Sequence, residues 1–131
     1  MMTQTEVVQA LYDAMASRDV QRLLELIDPE CVITQDPALP WGGRHVGHRG
    51  FGEVGLALTT AIDSVVTTEA LFAADGEIIQ CGRTRGTVRA TGATFDVPEV
   101  HRWKIRGDKV VAVHFALDTP AMLAALAAKG P

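Results

Sequence analysis

The chain has few of the residues that mark a disulfide-rich, membrane-spanning or nucleic-acid-binding protein. Its 131 residues include two cysteines, and its 12 basic residues are outnumbered by 16 acidic ones. Phosphate binding needs a basic face, so a net charge of −4 argues against a nucleic-acid partner. No apolar run approaches the length of a membrane span, so we expect no membrane partner.

Scarce cysteine and histidine also limit the chemistry that the chain can carry. Cys31 and Cys81 each lie in an apolar, strand-like run without CxxC spacing, which predicts reduced core thiols in a cytoplasmic protein. The polar, acidic N-terminus is unlike a secretory signal. His45 and His48 form an HxxH pair without a third ligand in view, so we predict no metal site.

What the chain does have is the composition of an ordinary globular domain. Hydrophobic residues make up 47% and charged residues 21%, which excludes disorder. The length suits one domain, residues 1–131, with a core of its own.

The hydrophobic periodicity predicts helices first and hairpin-linked strands afterwards. Thr5 is the predicted cap of a first helix, Asp19 that of a second, and Asp118 or Thr119 that of an Ala-rich last one. A weaker helix carries apolar residues from Phe51 to Ile62. Strands are predicted at residues 31–35, 65–72, 78–89, 94–106 and 110–117. This order favours an α+β fold with helices packed on one face of an antiparallel sheet.

The strand at residues 94–106 alternates apolar and polar residues, and this pattern exposes two misplaced groups. Glu99 and His101 fall on the apolar face, which should point at the helices. A carboxylate facing a core is costly unless it is paired, hydrogen-bonded or protonated, and enzymes use that cost to keep an acid neutral near pH 7. We therefore predict that Glu99 is buried and protonated.

Two further polar groups lie where they could join Glu99. Tyr12, the only tyrosine, lies on the apolar face of the first helix, and Asp36 lies where an apolar strand enters a loop. Each also has a structural interpretation: Tyr12 as a core aromatic, Asp36 as a turn former before proline, and Glu99 as half of an ion pair or part of a dimer interface. We predict that the three share one cavity between helices and sheet.

The whole chain resembles the SnoaL-like and ketosteroid isomerase-like members of the nuclear transport factor 2-like superfamily. The resemblance rests on the segments EVVQALYDAMASRDVQRLLELIDPE, LPWGGRHVGHRG, TFDVPEVHRWKIRGDKVV and ALDT. It implies a cone-shaped, cystatin-like α+β barrel, with helices closing one face of a curved and mostly antiparallel sheet, and a homodimer that pairs through the other face.

The same resemblance implies roles for individual residues. In the ketosteroid isomerases a helix-1 tyrosine and a strand-end aspartate recur at the separation that Tyr12 and Asp36 have here, and Glu99 matches the family's second oxyanion donor. Asp36 is then the general base, while Tyr12 and protonated Glu99 donate to an enolate oxygen. The substrate-binding positions that we predict are Trp41, Val54, Leu58, Val97, His101, Val113 and Phe115.

Three functional hypotheses follow from these residues. The first is a cofactor-free acid/base enzyme that removes a proton next to a carbonyl of an apolar cyclic molecule, for isomerisation or ring closure. The second is a non-catalytic protein that binds a small molecule in the same pocket. The third is a structural dimer module whose polar core residues satisfy one another. An unpaired Asp36 aimed into a cavity favours the first.

Overall fold

Two helices precede the first strand in the computed structural model, which describes residues 2–130. Helix α1 spans Gln4–Ser17, and helix α2 spans Val20–Leu26. Thr3 caps α1, forming a reciprocal capping box with Glu6, so the predicted cap at Thr5 is wrong. Asp19 caps α2 as predicted, because its carboxylate accepts from the Arg22 amide.

Six strands and two more helices complete the domain. They are β1 (Ile27–Gln35), β2 (Gly43–Val46), α3 (Gly47–Ala61), β3 (Ile62–Ala74), β4 (Glu77–Val88), β5 (Thr94–Arg106), β6 (Lys109–Leu117) and α4 (Thr119–Ala127). The bounds of β5 are those predicted from its alternation. Strand β2 was not predicted, because four residues beside glycines carry too little pattern to reveal a strand.

The strands form one curved, unclosed sheet in the order β2-β1-β6-β5-β4-β3. All neighbours are antiparallel except β1 and β6, which pair in parallel. This parallel pairing sets Gln35 opposite Phe115, so β1 and β6 end side by side. The turn that begins at Asp36 therefore lies beside the last residues of β6.

The helices cover one face of the sheet through two groups of buried side chains. The first, here called the α1 core, lies between α1, α2 and the sheet, and includes Val8, Leu11, Tyr12, Val54, Trp103 and Val113. The second, here called the α4 core, lies beneath α4, and includes Leu39, Trp41, Ile62, Phe95, Val97 and Met122. Strand β5 contributes to both cores, because every second side chain along it is buried.

The pairing of β3 with β4 is interrupted by one irregularity. The register of this pair shifts between Thr68 and Ala70, and Gly82 lies opposite Thr68. A Cβ atom at Gly82 would lie 2.1 Å from the Thr67 carbonyl oxygen. Only glycine permits this close approach of the two backbones.

The remaining features agree with the sequence analysis in part. Asp118 caps α4, as one of the two predicted candidates, by accepting from the Ala121 amide. Both cysteines are free thiols; Cys31 is buried and Cys81 is half-buried. Burial raises the pKa of the Cys31 thiol to about 11, which keeps it protonated and unreactive. Within residues 2–130, no helix is long and apolar enough to cross a membrane.

Candidate functional site

A network of polar side chains, here called the buried network, connects helix α1 with strand β5. Its members are Trp103, Tyr12, His101 and Glu99. The Trp103 indole Nε1 donates to the Tyr12 hydroxyl over 2.9 Å, and that hydroxyl lies 2.6 Å from Nδ1 of His101. On the other side of the imidazole, Nε2 lies 3.3 Å from Oε2 of Glu99. Alternation along β5 turns Glu99, His101 and Trp103 to the same face, and Tyr12 reaches them from above.

Burial disfavours the charged forms of the ionisable side chains in the buried network. It raises the pKa of Tyr12 well above its usual range, and lowers the pKa of His101 to about 3. The nearby His114 also lowers the pKa of His101, because two imidazolium ions repel each other. At neutral pH the hydroxyl and the imidazole are therefore uncharged, and they form hydrogen bonds rather than an ion pair.

Glu99 is buried as predicted, with 3% of its surface exposed. Its Oε1 accepts a hydrogen bond from the Thr84 hydroxyl. Its Oε2, at 3.3 Å from the imidazole, has no well-aligned hydrogen bond within the described residues. Burial raises the pKa of the Glu99 carboxyl, although the hydrogen bond from Thr84 and the nearby Gln80 amide oppose that rise. The structure thus supports a carboxylic acid that resists ionisation.

Asp36 lies apart from the buried network, in an open cleft of about 420 Å³ beside the ends of β1 and β6. Its side chain is exposed, and Oδ1 accepts from the Ala38 amide over 2.9 Å, a turn typical of Asp before Pro. No arginine or lysine within residues 2–130 forms an ion pair with it. The other residues that line the cleft are Gln35, Pro37, His114, Phe115, Ala116, Leu117 and Thr119.

Phe115 lies between the cleft and the buried network. Its ring lines the cleft and meets the His101 ring edge-to-face at a centroid distance of 4.7 Å. It also contacts the Trp103 ring at 5.5 Å. Tyr12 and Glu99 do not line the cleft, so the expectation that they share one cavity with Asp36 is not met in this conformation. The reason is that aromatic rings fill the space between them.

The predicted substrate-binding positions divide between the two cores. Val54 and Val113 are in the α1 core, whereas Trp41 and Val97 are in the α4 core, with Leu58 packed against it. Trp41 is 2% exposed, so in this conformation it is a core residue and not part of an open substrate-binding pocket. Of the seven predicted positions, Phe115 is the one that lines the cleft.

Several polar residues at the site were missed by the sequence analysis. Trp103 lies in the α1 core, and its indole Nε1 donates to the Tyr12 hydroxyl. Thr84 and Gln80 hydrogen-bond near Glu99, and the alternation of β4 was the signal that could have found them. His114 lines the cleft and lies 2.7 Å from the Thr34 hydroxyl. No sequence pattern indicated that contact, because it depends on the parallel pairing of β1 with β6.

The predicted HxxH pair has structural partners. His45 contacts the Gly42 carbonyl over 2.9 Å, and His48 contacts the Ile27 carbonyl over 2.7 Å. Across residues 2–130, no three His, Cys, Asp or Glu side chains are grouped so that they could hold a metal ion.

Comparison with known families gives a match over most of the chain. A model of the SnoaL-like domain matches residues 8–113. None of the curated protein sequences compared with the chain matches significantly.

Solved structures share the fold over nearly the whole chain. An NTF2-like protein from Burkholderia thailandensis is 25% identical, with a TM-score of 0.90, covering 98% of this chain and 100% of its own. TerC, co-crystallised with polyporic acid, is 20% identical with a TM-score of 0.86, covering 96% and 100%. IdmH, a putative polyketide cyclase from Streptomyces antibioticus, is 23% identical with a TM-score of 0.77, covering 97% and 100%.

Proposed function

The chain belongs to the SnoaL-like family, and on that premise we propose that it is a small-molecule acid/base enzyme of ketosteroid isomerase-like or SnoaL-like cyclase type. It removes a proton next to a carbonyl of an apolar, cyclic substrate. The reaction returns that proton elsewhere on the molecule or uses the enolate for ring closure.

This proposal rests on one observation. The buried network, with Tyr12, His101 and Glu99, lies beside a cleft that holds the unpaired Asp36 carboxylate. Three ionisable groups inside an apolar core cost stability, and such groups cluster at functional sites. Phe115 lines the cleft, and its ring contacts His101 of the buried network. A base and a set of hydrogen-bond donors are therefore within one side chain of each other.

In the proposed reaction, Asp36 takes the proton from the carbon next to the carbonyl. The negative charge that develops on the carbonyl oxygen is stabilised by hydrogen bonds from the Tyr12 hydroxyl and from neutral Glu99. Protonated Asp36 then returns the proton to the isomerised carbon. Because the Tyr12 hydroxyl is hydrogen-bonded to His101 in the present conformation, the reaction requires Phe115 to turn so that the substrate oxygen reaches the buried network.

The neighbours' descriptions support the substrate class. TerC was crystallised with polyporic acid, and IdmH is described as a putative polyketide cyclase. Both descriptions refer to a small organic molecule as ligand or substrate, and this is the only property that we extend to the present protein.

We also propose that the protein is a cytoplasmic homodimer that pairs through the outer face of its sheet. Val100 on that face is 42% exposed, Cys81 on β4 lies opposite it, and Ala112 on β6 lies opposite Lys104. Sedimentation should give a dimer at micromolar concentration. A monomer under those conditions would contradict this part of the proposal.

The test uses a panel of apolar cyclic ketones in deuterated water. Proton NMR follows the loss of the signals next to the carbonyl, and thermal shift measures binding. We expect exchange with the wild-type protein and none above background with Asp36→Asn, with little change in melting temperature. Asp28→Asn is the matched control, because Asp28 also precedes a proline and accepts from the amide two residues on (2.8 Å) but does not line the cleft.

An equal loss of exchange in Asp28→Asn and Asp36→Asn would show that the turn, not the base, matters. Binding of panel members without exchange in the wild type would favour the alternative function, a non-catalytic small-molecule-binding protein. One observation favours that alternative: Tyr12, His101 and Trp103 already hydrogen-bond to one another, which leaves fewer free donors for a substrate.

A further inference from the structure

Donor and acceptor can be assigned for each hydrogen bond of the buried network. We infer that His101 is a positioning residue, held as the neutral tautomer that carries its proton on Nε2, with the lone pair of Nδ1 facing the Tyr12 hydroxyl. It thereby orients Tyr12 and Glu99 and is not itself a substrate contact. The consequence for catalysis rests on the proposed function, whereas the tautomer does not.

The direction of donation is set at Trp103. An indole N–H can only donate, so the Tyr12 oxygen accepts the hydrogen bond from Trp103. The hydroxyl proton of Tyr12 then needs an acceptor, and Nδ1 of His101, at 2.6 Å, is its hydrogen-bond partner within the described residues. A buried hydroxyl without an acceptor is costly, so the proton points at Nδ1.

An Nδ1 atom that accepts a hydrogen bond carries no proton. The neutral imidazole then carries its proton on Nε2, which faces Oε2 of Glu99 at 3.3 Å. In the opposite arrangement, Glu99 donates to Nε2 and Nδ1–H donates to Tyr12. That arrangement leaves the Tyr12 oxygen with two donors and its own proton without a partner.

The surroundings of His101 keep the ring neutral. The titratable groups that face it are Tyr12 from α1, Glu99 from its own strand β5, and His114 from β6. The edges of the Trp103 and Phe115 rings close the remaining sides. Tyr12 and Glu99 both resist ionisation and His114 repels a second positive charge, so no neighbour favours an imidazolium.

For the proposed reaction, this arrangement fixes two hydrogen-bonding groups at once. The Tyr12 hydroxyl is held between Trp103 and His101, which fixes the position of its oxygen before a substrate arrives. Glu99 accepts at Oε1 from the Thr84 hydroxyl, and its Oε2 faces the Nε2–H of the ring at 3.3 Å. A substrate oxygen then takes the Tyr12 hydrogen bond from Nδ1 of His101, while the Trp103 indole keeps the Tyr12 oxygen in place.

Long-range proton–nitrogen correlation spectra of protein with ¹⁵N-labelled histidine test the tautomer directly. The signals of His101 are assigned by their loss in His101→Asn. We expect one neutral, Nε2-protonated pattern for His101 between pH 5.5 and 8, a window above the pKa of about 3. A proton on Nδ1, or an imidazolium pattern at pH 7, would overturn the inference.

Two hydroxyl deletions test the donor. Tyr12→Phe should move the Nδ1 resonance of His101 toward that of an unbonded nitrogen. Thr34→Val, the matched control, removes the hydroxyl 2.7 Å from Nδ1 of His114 and should leave the His101 resonances in place. An Nδ1 resonance of His101 that does not respond to Tyr12→Phe would refute Tyr12 as its donor.

Turnover tests the positioning role separately. His101→Leu should lower kcat for proton exchange about 10-fold or more with KM nearly unchanged, and His101→Asn, which keeps a donor and an acceptor, should recover most of it. Equal rates in both variants would overturn the positioning role. If the tautomer is as stated but the wild type exchanges no panel member, the proposed function fails and the tautomer assignment stands.

Discussion

Replacement of Glu99 by glutamine should remove a pH dependence of stability. The wild-type carboxyl has its pKa raised above the ordinary value of 4.5, chiefly by burial. A raised pKa in the folded state means that protonation favours folding, so this stabilisation is complete below pH 4.5. It is lost as pH rises through the folded-state pKa.

The size of the effect follows from how deeply Glu99 is buried. Only 3% of its surface is exposed, so solvent screens the carboxyl little. Each unit by which the folded-state pKa exceeds the unfolded one contributes about 1.4 kcal/mol to the free energy of unfolding. At low pH both side chains are neutral and both can accept from Thr84, so the two proteins should agree there within about 1 kcal/mol.

Urea unfolding of the two proteins between pH 4 and 8 measures this difference. The wild-type free energy of unfolding should fall relative to that of Glu99→Gln as pH rises. Glu53→Gln is the control, because Glu53 is exposed on α3 and its curve should follow the wild type. Parallel curves for wild type and Glu99→Gln over the whole range would refute a buried acid with a raised pKa.

Three further predictions concern the fold. Thr3→Ala should lower the free energy of unfolding by ~0.5–2 kcal/mol because it removes the cap of α1, whereas Thr5→Ala should change it little; equal effects in urea unfolding would contradict the assignment of the cap. Met122→Ala should cost about 2–5 kcal/mol, since this side chain is fully buried in the α4 core, and a near-neutral result would mean that α4 does not pack there. Gly86→Ala should lower the melting temperature sharply, because its Cβ would lie 1.9 Å from the Asp63 carbonyl oxygen, whereas Gly52→Ala, which has open space, should not.

The sequence predicted those parts of the fold that are encoded by local pattern. Strand β5 shows one buried residue in every two, and this placed Glu99 and His101 correctly on the inner face. The pairing of β1 with β6 could not be predicted in this way, because it joins segments about 80 residues apart and leaves no periodic mark. The neighbourhood of Asp36 and His114 depends on that pairing.

The candidate site was predicted as a list of residues, but not as an arrangement. Tyr12 and Glu99 were expected to point at a substrate, whereas in the structure His101 stands between them. Side-chain packing decides this, since Phe115 and Trp103 fill the space that an open pocket would occupy. Trp41 shows the same limit, because its burial in the α4 core depends on the turn after Asp36 folding back on itself.

The most direct test of the proposed enzyme is a crystal structure with a ketone that the exchange assay identifies. We predict that the ketone lies in the cleft, with the carbon next to its carbonyl about 3–3.5 Å from the Asp36 carboxylate. Its oxygen should face Tyr12 and Glu99 past a rotated Phe115. A ketone bound elsewhere, or bound in the cleft with its carbonyl turned to solvent and Phe115 unmoved, would contradict the account.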